Sequence, residues 1–199
     1  MSRAAYSAAI PEPIDAAARA HLLRPDGQED VCFALWRPSQ GRSRLTVLVY
    51  RLILPLPGER NVHGNASFEP AFLERAMSEA AAEGAGLALL HSHPLGKGWQ
   101  GMSRGDVRAE QGDAGAVSGA TRMPFVGLTL ANDGAWSARF WIRSAPRTYA
   151  RHNCSTVRVV GNRLRVTYMD EIAPPPLSKT NKFVPFRRGA KRHNKSSRD

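Results

Sequence analysis

One stretch of this 199-residue chain limits its fold more than any other: the run that begins at Gly86 and ends at Pro94. The apolar residues 87–90, between a glycine and a histidine, predict a short buried strand. His91 and His93 follow two residues apart, so on an extended segment both imidazoles project from the same face. Pro94 ends regular backbone hydrogen bonding directly after them. The chain is therefore predicted to fold around a buried strand that presents two histidines at its end.

A second motif, Ser103-x-x-Asp106, predicts the start of a helix that runs to about Gly112. Two histidines from a strand end and one carboxylate from a helix start suit a catalytic Zn²⁺ site, which keeps a fourth position for water. Each residue also has an ordinary explanation, since a histidine at a strand end can simply face water and a serine at this spacing can simply cap a helix. The two explanations of the serine are compatible, because a cap would fix the carboxylate that binds the metal. The combination predicts a metal site formed by His91, His93 and Asp106.

These residues together resemble the JAMM (JAB/MPN) zinc metalloprotease family, and especially its bacterial branch. The family pattern is an upstream glutamate, then His-x-His-Pro, then Ser-x-x-Asp. The matching positions here are Glu29, His91, His93, Pro94, Ser103 and Asp106. The resemblance covers about residues 11–145, and the loop 95–102 is slightly longer than in eukaryotic members. It implies an α/β fold of the JAMM/MPN, cytidine-deaminase-like type, with a mixed β-sheet flanked by helices.

The resemblance assigns the general base to Glu29, near the start of a strand predicted over residues 29–36. Cys32 stands three positions on, where the family more often has glycine. A metal at the predicted site would lower the pKa of a bound water to about 7. Glu29 would take a proton from that water and return it to a leaving amine. The Ser103 hydroxyl, together with the metal, would stabilise the oxyanion that forms.

Other candidate groups are present. Glu12 precedes the first predicted helix between two prolines, and Glu59 and His63 lie in a predicted loop over residues 55–65. Neither glutamate begins a strand that could run beside the histidines. Cys154 is near a histidine in sequence, but the pair lies in a predicted loop without a third residue to orient it.

The substrate follows from the resemblance alone. JAMM proteases hydrolyse the isopeptide bond between a lysine amine and the C-terminal glycine of ubiquitin or a ubiquitin-like protein. Bacterial relatives often accompany ThiF-like activating enzymes of such conjugation systems, some of which act in phage defence. Trp99, in the glycine-rich loop, is a candidate contact for an extended Gly-Gly tail, or else an anchor that packs this loop on the core.

The remaining patterns predict three regions: a JAMM/MPN domain over residues 1–145, a β-hairpin extension over 146–172, and a Pro-rich linker with a disordered basic tail over 173–199. Helices are predicted over residues 13–23, 68–83 and 103–112. Further strands are predicted over residues 45–54, 125–131, 135–142, 156–160 and 163–169.

Most of the net charge of +11 is concentrated at the C-terminus. From Lys179 onward the chain has eight basic residues and one acidic residue, so this segment carries +7 and the remainder is only mildly basic. Such a tail predicts weak, nonspecific binding to nucleic acid.

The composition predicts a cytoplasmic protein without membrane contact. The N-terminus lacks the apolar core of a signal peptide, and the longest apolar stretch, residues 45–56, is interrupted by Arg51 and Pro55. The two cysteines, Cys32 and Cys154, form no disulfide framework.

Two other classes of function remain open. One is a catalytically inactive MPN-type scaffold that has lost the metal; the intact ligand set argues against it, and bound zinc would discriminate between the two. The other is a nucleic-acid-binding module that uses the basic tail, although the tail has no predicted folded element to present its basic residues.

Overall fold

The structure of the chain is a computed structural model that describes residues 5–63 and 65–169. The tail predicted over 173–199 lies outside the described residues. In chain order the described elements are β1 (Ala5–Pro11), α1 (Glu12–Leu22), β2 (Val31–Gln40), β3 (Arg44–Ile53), β4 (Arg60–His63), β5 (Asn65–Phe68), α2 (Pro70–Ala82), β6 (Gly86–His93), α3 (Arg104–Thr121), β7 (Phe125–Ala131), β8 (Trp136–Ala145), β9 (Thr148–Asn153), β10 (Thr156–Val160) and β11 (Arg165–Tyr168).

Nine of the described strands form one mixed sheet in the order β11-β10-β1-β3-β2-β6-β7-β8-β9. The pairs β10–β1, β1–β3 and β6–β7 are parallel, and the other neighbours are antiparallel. The strand of the two histidines, β6, lies inside the sheet between β2 and β7. The predicted α/β class, with helices beside a mixed sheet, is confirmed; the narrower JAMM/MPN fold stays a prediction.

The sheet curls until its two ends meet. β9 lies at one end of the strand order, and only Cys154 and Ser155 connect it to β10, next to the other end. The Ser155 N–H donates to the carbonyl oxygen of Tyr6 at 2.8 Å. The rings of Tyr6 and Phe140 are 4.9 Å apart, although β1 and β8 are not neighbours in the strand order. The described part of the segment 146–172, predicted as an extension, therefore belongs to the main sheet.

Two apolar cores lie on opposite faces of the sheet. Helix α1 packs in the inner core, within the curl, and helices α2 and α3 pack in the outer core. Along β6, Ala88 and Leu90 belong to the inner core, and Leu87 and Leu89 belong to the outer core. Because strand residues alternate between faces, His91 lies on the same face as Leu87 and Leu89. The histidines are thus directed to the side of the sheet that carries α2 and α3.

Several predicted elements need correction. Residues 55–65 are predicted as a loop, but β4 and β5 form an antiparallel two-stranded hairpin that begins at Arg60 and ends at Phe68. Phe68 lies on β5 and not on the following helix, because Pro70 has the fixed backbone angle that suits the first helical position. β2 begins at Val31, so Glu29 precedes the strand. β1 and β9 had no predicted counterpart; the other predicted helices and strands are confirmed to within a few residues, apart from α3, which continues to Thr121.

In the described parts of the chain, no helix combines the length and the apolar character needed to cross a lipid bilayer. The longest described helix, α3, has charged side chains from Arg104 to Asp113 and is otherwise rich in glycine and alanine, so it lacks the apolar character of a membrane span.

Candidate metal centre

Strand β6 and helix α3 bring the predicted ligands together. His91 and His93 lie at the end of β6, and Asp106 lies in the first turn of α3. One donor atom from each side chain lies within 4.8 Å of the other two. The Nε2 atoms of the two histidines are 3.2 Å apart, and Nε2 of His93 is 3.7 Å from Oδ2 of Asp106. Two nitrogens bound to one tetrahedral zinc ion lie about 3.3 Å apart, so these distances fit a single ion.

The protonation states of His91 and Asp106 also suit a metal. Burial lowers the pKa of His91 well below its ordinary value, and the neighbouring His93 and Arg139 side chains act in the same direction. Burial alone would raise the pKa of Asp106, but the two imidazoles and Ser103 outweigh it and hold that pKa well below its usual range. A neutral imidazole and an ionised carboxylate are the forms in which these side chains bind a cation. The group can therefore hold a metal ion.

Ser103 fixes the carboxylate of Asp106. It is the N-cap residue of α3, and its Oγ accepts the Asp106 N–H at 3.1 Å. Its own backbone N–H donates to Oδ2 of Asp106 at 2.9 Å, which completes a capping box. The oxygen that approaches His93 is thus tied to the helix N-terminus, and the cap and the ligand role of this motif coexist.

Glu29 lies beside the three ligands without belonging to their group. It lines a small pocket together with His91 and Asp106. The apolar wall of this pocket consists of Val31, Ala66, Phe68, Leu89 and Ala109. Burial raises the pKa of Glu29 to about 7; His93 opposes this shift, Asp106 reinforces it, and the Ala66 backbone N–H opposes it. A carboxyl that titrates near neutrality next to a metal-binding group is suited to accept and release a proton.

A layer of side chains that the sequence did not predict supports His91. Thr129 on β7 is its register partner, and Oγ1 of Thr129 is 3.3 Å from Nε2 of His91. Arg139 Nη1 donates to the same Oγ1 at 2.6 Å. The Arg139 guanidinium also pairs with Glu110 of α3, with Nε 2.8 Å from Oε2. Because Oγ1 accepts from Arg139, the hydroxyl hydrogen of Thr129 is directed away from the guanidinium. Nε2 of His91 has a single lone pair, so it accepts this hydrogen only while it binds no metal.

Gly127 makes room for this buried ion pair. It is the register partner of Arg139, and a Cβ at Gly127 would overlap Oε2 of Glu110. Trp141 Nε1 donates to that carboxylate at 2.6 Å. Glu110 is 1% exposed and Arg139 is 2% exposed. The sequence signal for this pair is a glycine that lies opposite an arginine in the predicted hairpin, with a glutamate on the helix that covers it.

Trp99 does not line the pocket. Its side chain is 4% exposed and belongs to the inner core, on the face of the sheet away from the metal ligands. The structure therefore supports the loop-anchor alternative over substrate contact, because the indole has almost no surface left for a ligand.

The rival groups are occupied elsewhere. Both carboxylate oxygens of Glu59 accept from Arg75, at 2.9 and 2.5 Å. Glu12 accepts a backbone N–H from the loop that follows β10. His63 is exposed at the end of β4. Cys154 is buried, and burial raises the pKa of its thiol to about 12, so it is not an activated nucleophile.

No protein-family model matches the chain, and no curated protein is significantly similar to it. Its function is therefore inferred from its own residues and from the resemblance carried by the two motifs.

Proposed function

We propose that the protein is a zinc-dependent isopeptidase that hydrolyses the bond between the C-terminal glycine of a ubiquitin-like protein and a lysine or peptide amine. The observation that carries the proposal is the convergence of His91, His93 and Asp106 beside a pocket that Glu29 also lines. Two imidazoles and one carboxylate are a common ligand set of hydrolytic zinc sites. The substrate class rests on the resemblance of the His-x-His-Pro and Ser-x-x-Asp motifs to the JAMM family.

Bound zinc would supply Lewis-acid chemistry, which polarises a carbonyl and makes a water molecule acidic near neutral pH. The positive charge would also favour the ionised form of Glu29, whose pKa is about 7 without it. Glu29 then accepts a proton from the attacking water on a carboxylate oxygen and gives it to the leaving amine nitrogen. Ser103 is exposed at the edge of the site, and its hydroxyl donates to the oxygen that gains negative charge.

The partners of such an enzyme are conjugates of a ubiquitin-like protein. In the bacterial systems that the motifs resemble, a ThiF-like activating enzyme prepares these conjugates, and some systems act against phage. We place the protein in a conjugation system of this kind.

The test combines metal analysis with a cleavage assay on a ubiquitin-like protein joined through its C-terminal glycine to a lysine side chain. We expect one zinc per chain and cleavage that a chelator abolishes and zinc restores. His91→Ala, His93→Ala and Asp106→Ala should lose metal and activity together. The exposed His63→Ala is the matched control and should retain both.

Each outcome assigns the site differently. Stoichiometric metal in a protein with both His91 and His93 replaced would refute the ligand set. Stoichiometric zinc in the wild-type protein without cleavage of any such conjugate would refute the isopeptidase assignment but leave the metal site standing. Cleavage that persists after complete metal removal would exclude metal-dependent hydrolysis.

A further inference from the structure

A buried carboxylate next to Glu29 has no role in the chemistry above. Asp30 is 1% exposed, and its Oδ2 accepts from Arg60 Nη1 at 2.5 Å and lies 3.5 Å from Arg24 Nη1. Its Oδ1 accepts the Val31 N–H at 2.7 Å. Buried ion pairs contribute little net stability compared with apolar residues of the same size. The carboxylate at this position therefore calls for an explanation other than stability.

The backbone of Asp30 is tied to the residue between the two histidines. Its N–H donates to Oγ of Ser92 at 3.0 Å, and the Ser92 N–H donates to the Asp30 carbonyl oxygen at 3.1 Å. Ser92 is fully buried. Because Val31 is the register partner of His91, continuing the antiparallel count sets Glu29 opposite His93. The Asp30–Ser92 tie thus fixes Glu29 relative to the ligand strand.

The hairpin of β4 and β5 contacts both Asp30 and Glu29 from the side opposite the ligand strand. Arg60, the first residue of β4, binds the Asp30 carboxylate. Ala66, on β5, directs its backbone N–H to the Glu29 carboxylate. Asp30 therefore connects three parts of the site: the ligand strand through Ser92, the hairpin through Arg60, and Glu29 through the chain.

We propose that Asp30, held by Ser92 and Arg60, is a positioning residue that sets the carboxylate of Glu29 against the metal-binding group. This inference rests on the proposed function, because it concerns the residue that acts there as the general base. Asp30 touches neither the substrate nor the metal ligands' side chains; it acts through the backbone position of Glu29.

The test uses two substitutions in the full-length zinc-loaded protein, Asp30→Asn and Ser92→Ala. Displacing a general base by about 1 Å costs up to about 100-fold in rate, so we expect kcat to fall by about 10- to 100-fold. KM and the zinc content should stay within about two-fold, because the ligands and the substrate surface are unchanged. Ser155→Ala is the matched control at an exposed position and should keep full kcat.

A double-mutant cycle separates positioning from general structural support. In a Glu29→Gln background the base is already absent, so Asp30→Asn should lower the residual rate by less than about two-fold. An undiminished 10- to 100-fold loss in that background would overturn the proposal, because Asp30 would then act on something other than Glu29. Unchanged kcat in both single variants would overturn it as well.

A structural readout keeps this result separate from the fate of the proposed function. In the metal-free protein, Ser92→Ala should speed hydrogen exchange at the Asp30 amide, whereas Ser155→Ala should not. Unchanged protection would refute the tie whether or not the protein is an enzyme. Wild-type protein that cleaves no conjugate would refute the proposed function, and with it the catalytic part of this inference, even where the exchange result establishes the tie.

Discussion

Arg139→Met tests whether the buried ion pair beneath the candidate metal site is held together as the structure shows. Methionine keeps much of the length of the side chain but removes both hydrogen bonds to Glu110 and the one to Thr129. Glu110 stays 1% exposed, with only the Trp141 N–H as a donor. Breaking a buried pair by removing one partner costs about 3–5 kcal/mol, because the other charge is left without compensation.

Urea denaturation of the metal-free protein measures this loss. With a slope of about 2 kcal/mol per molar, the midpoint should fall by about 1.5–2.5 M. Arg143→Met, at an exposed position of the same strand, should change the unfolding free energy by no more than about 0.5 kcal/mol. Adding Glu110→Gln to Arg139→Met should restore at least half of the loss, because glutamine is uncharged and still accepts from Trp141. The reasoning is refuted if Arg139→Met costs less than about 1 kcal/mol. It is also refuted if the double variant loses as much stability as Arg139→Met and Glu110→Gln lose separately when their two losses are added.

Three further predictions concern Glu29, Trp99 and the tail. Because burial raises the pKa of Glu29 to about 7 from its ordinary 4.5, the metal-free protein should lose stability as the pH rises from about 4.5 to 7, by on the order of 2–3 kcal/mol. In thermal melts with chelator, Glu29→Gln should remove this loss of stability; a pH dependence that persists in the variant would come from another group. In the zinc-loaded protein, Glu29→Gln should keep the metal and slow turnover by about 10²–10⁴-fold. Trp99→Ala should cost about 3–5 kcal/mol of stability at unchanged KM, and a raised KM at full stability would reinstate substrate contact. Truncation after Pro176 should leave cleavage within a few-fold and abolish salt-sensitive retention on nucleic acid; a rate loss of orders of magnitude would show that the tail acts at the site.

The ligand group was predictable because its members lie in short motifs whose geometry is local. The two-residue spacing of His91 and His93 on a strand directs both imidazoles to one face, and the three-residue spacing of Ser103 and Asp106 fixes the carboxylate at a helix start. Both arrangements depend little on the rest of the chain. The shared face of the two imidazoles on β6 followed from the alternation of strand residues.

Glu110 and Arg139 were not predicted, because charged residues are rarely fully buried. Arg139 alternates with Ala138 and Phe140, a pattern that normally indicates a solvent-facing arginine. Only the tertiary arrangement shows that α3 covers this face and supplies Glu110. β1 was missed for another reason: its alanines and serine have little strand propensity, and it is held by its two neighbouring strands.

The place of β1 between β3 and β10 also bears on the order in which the chain can fold during synthesis. Its pairing with β10 brings together residues 149 positions apart, as in the bond between Ser155 and Tyr6. The strands around the metal ligands meet over shorter separations, 38 positions between His91 and Thr129. Long-range pairs form later, because closing a longer loop costs more entropy. On the ribosome the strands of the candidate metal centre can therefore associate first, and β1, although made before them, is among the last strands to gain both of its neighbours.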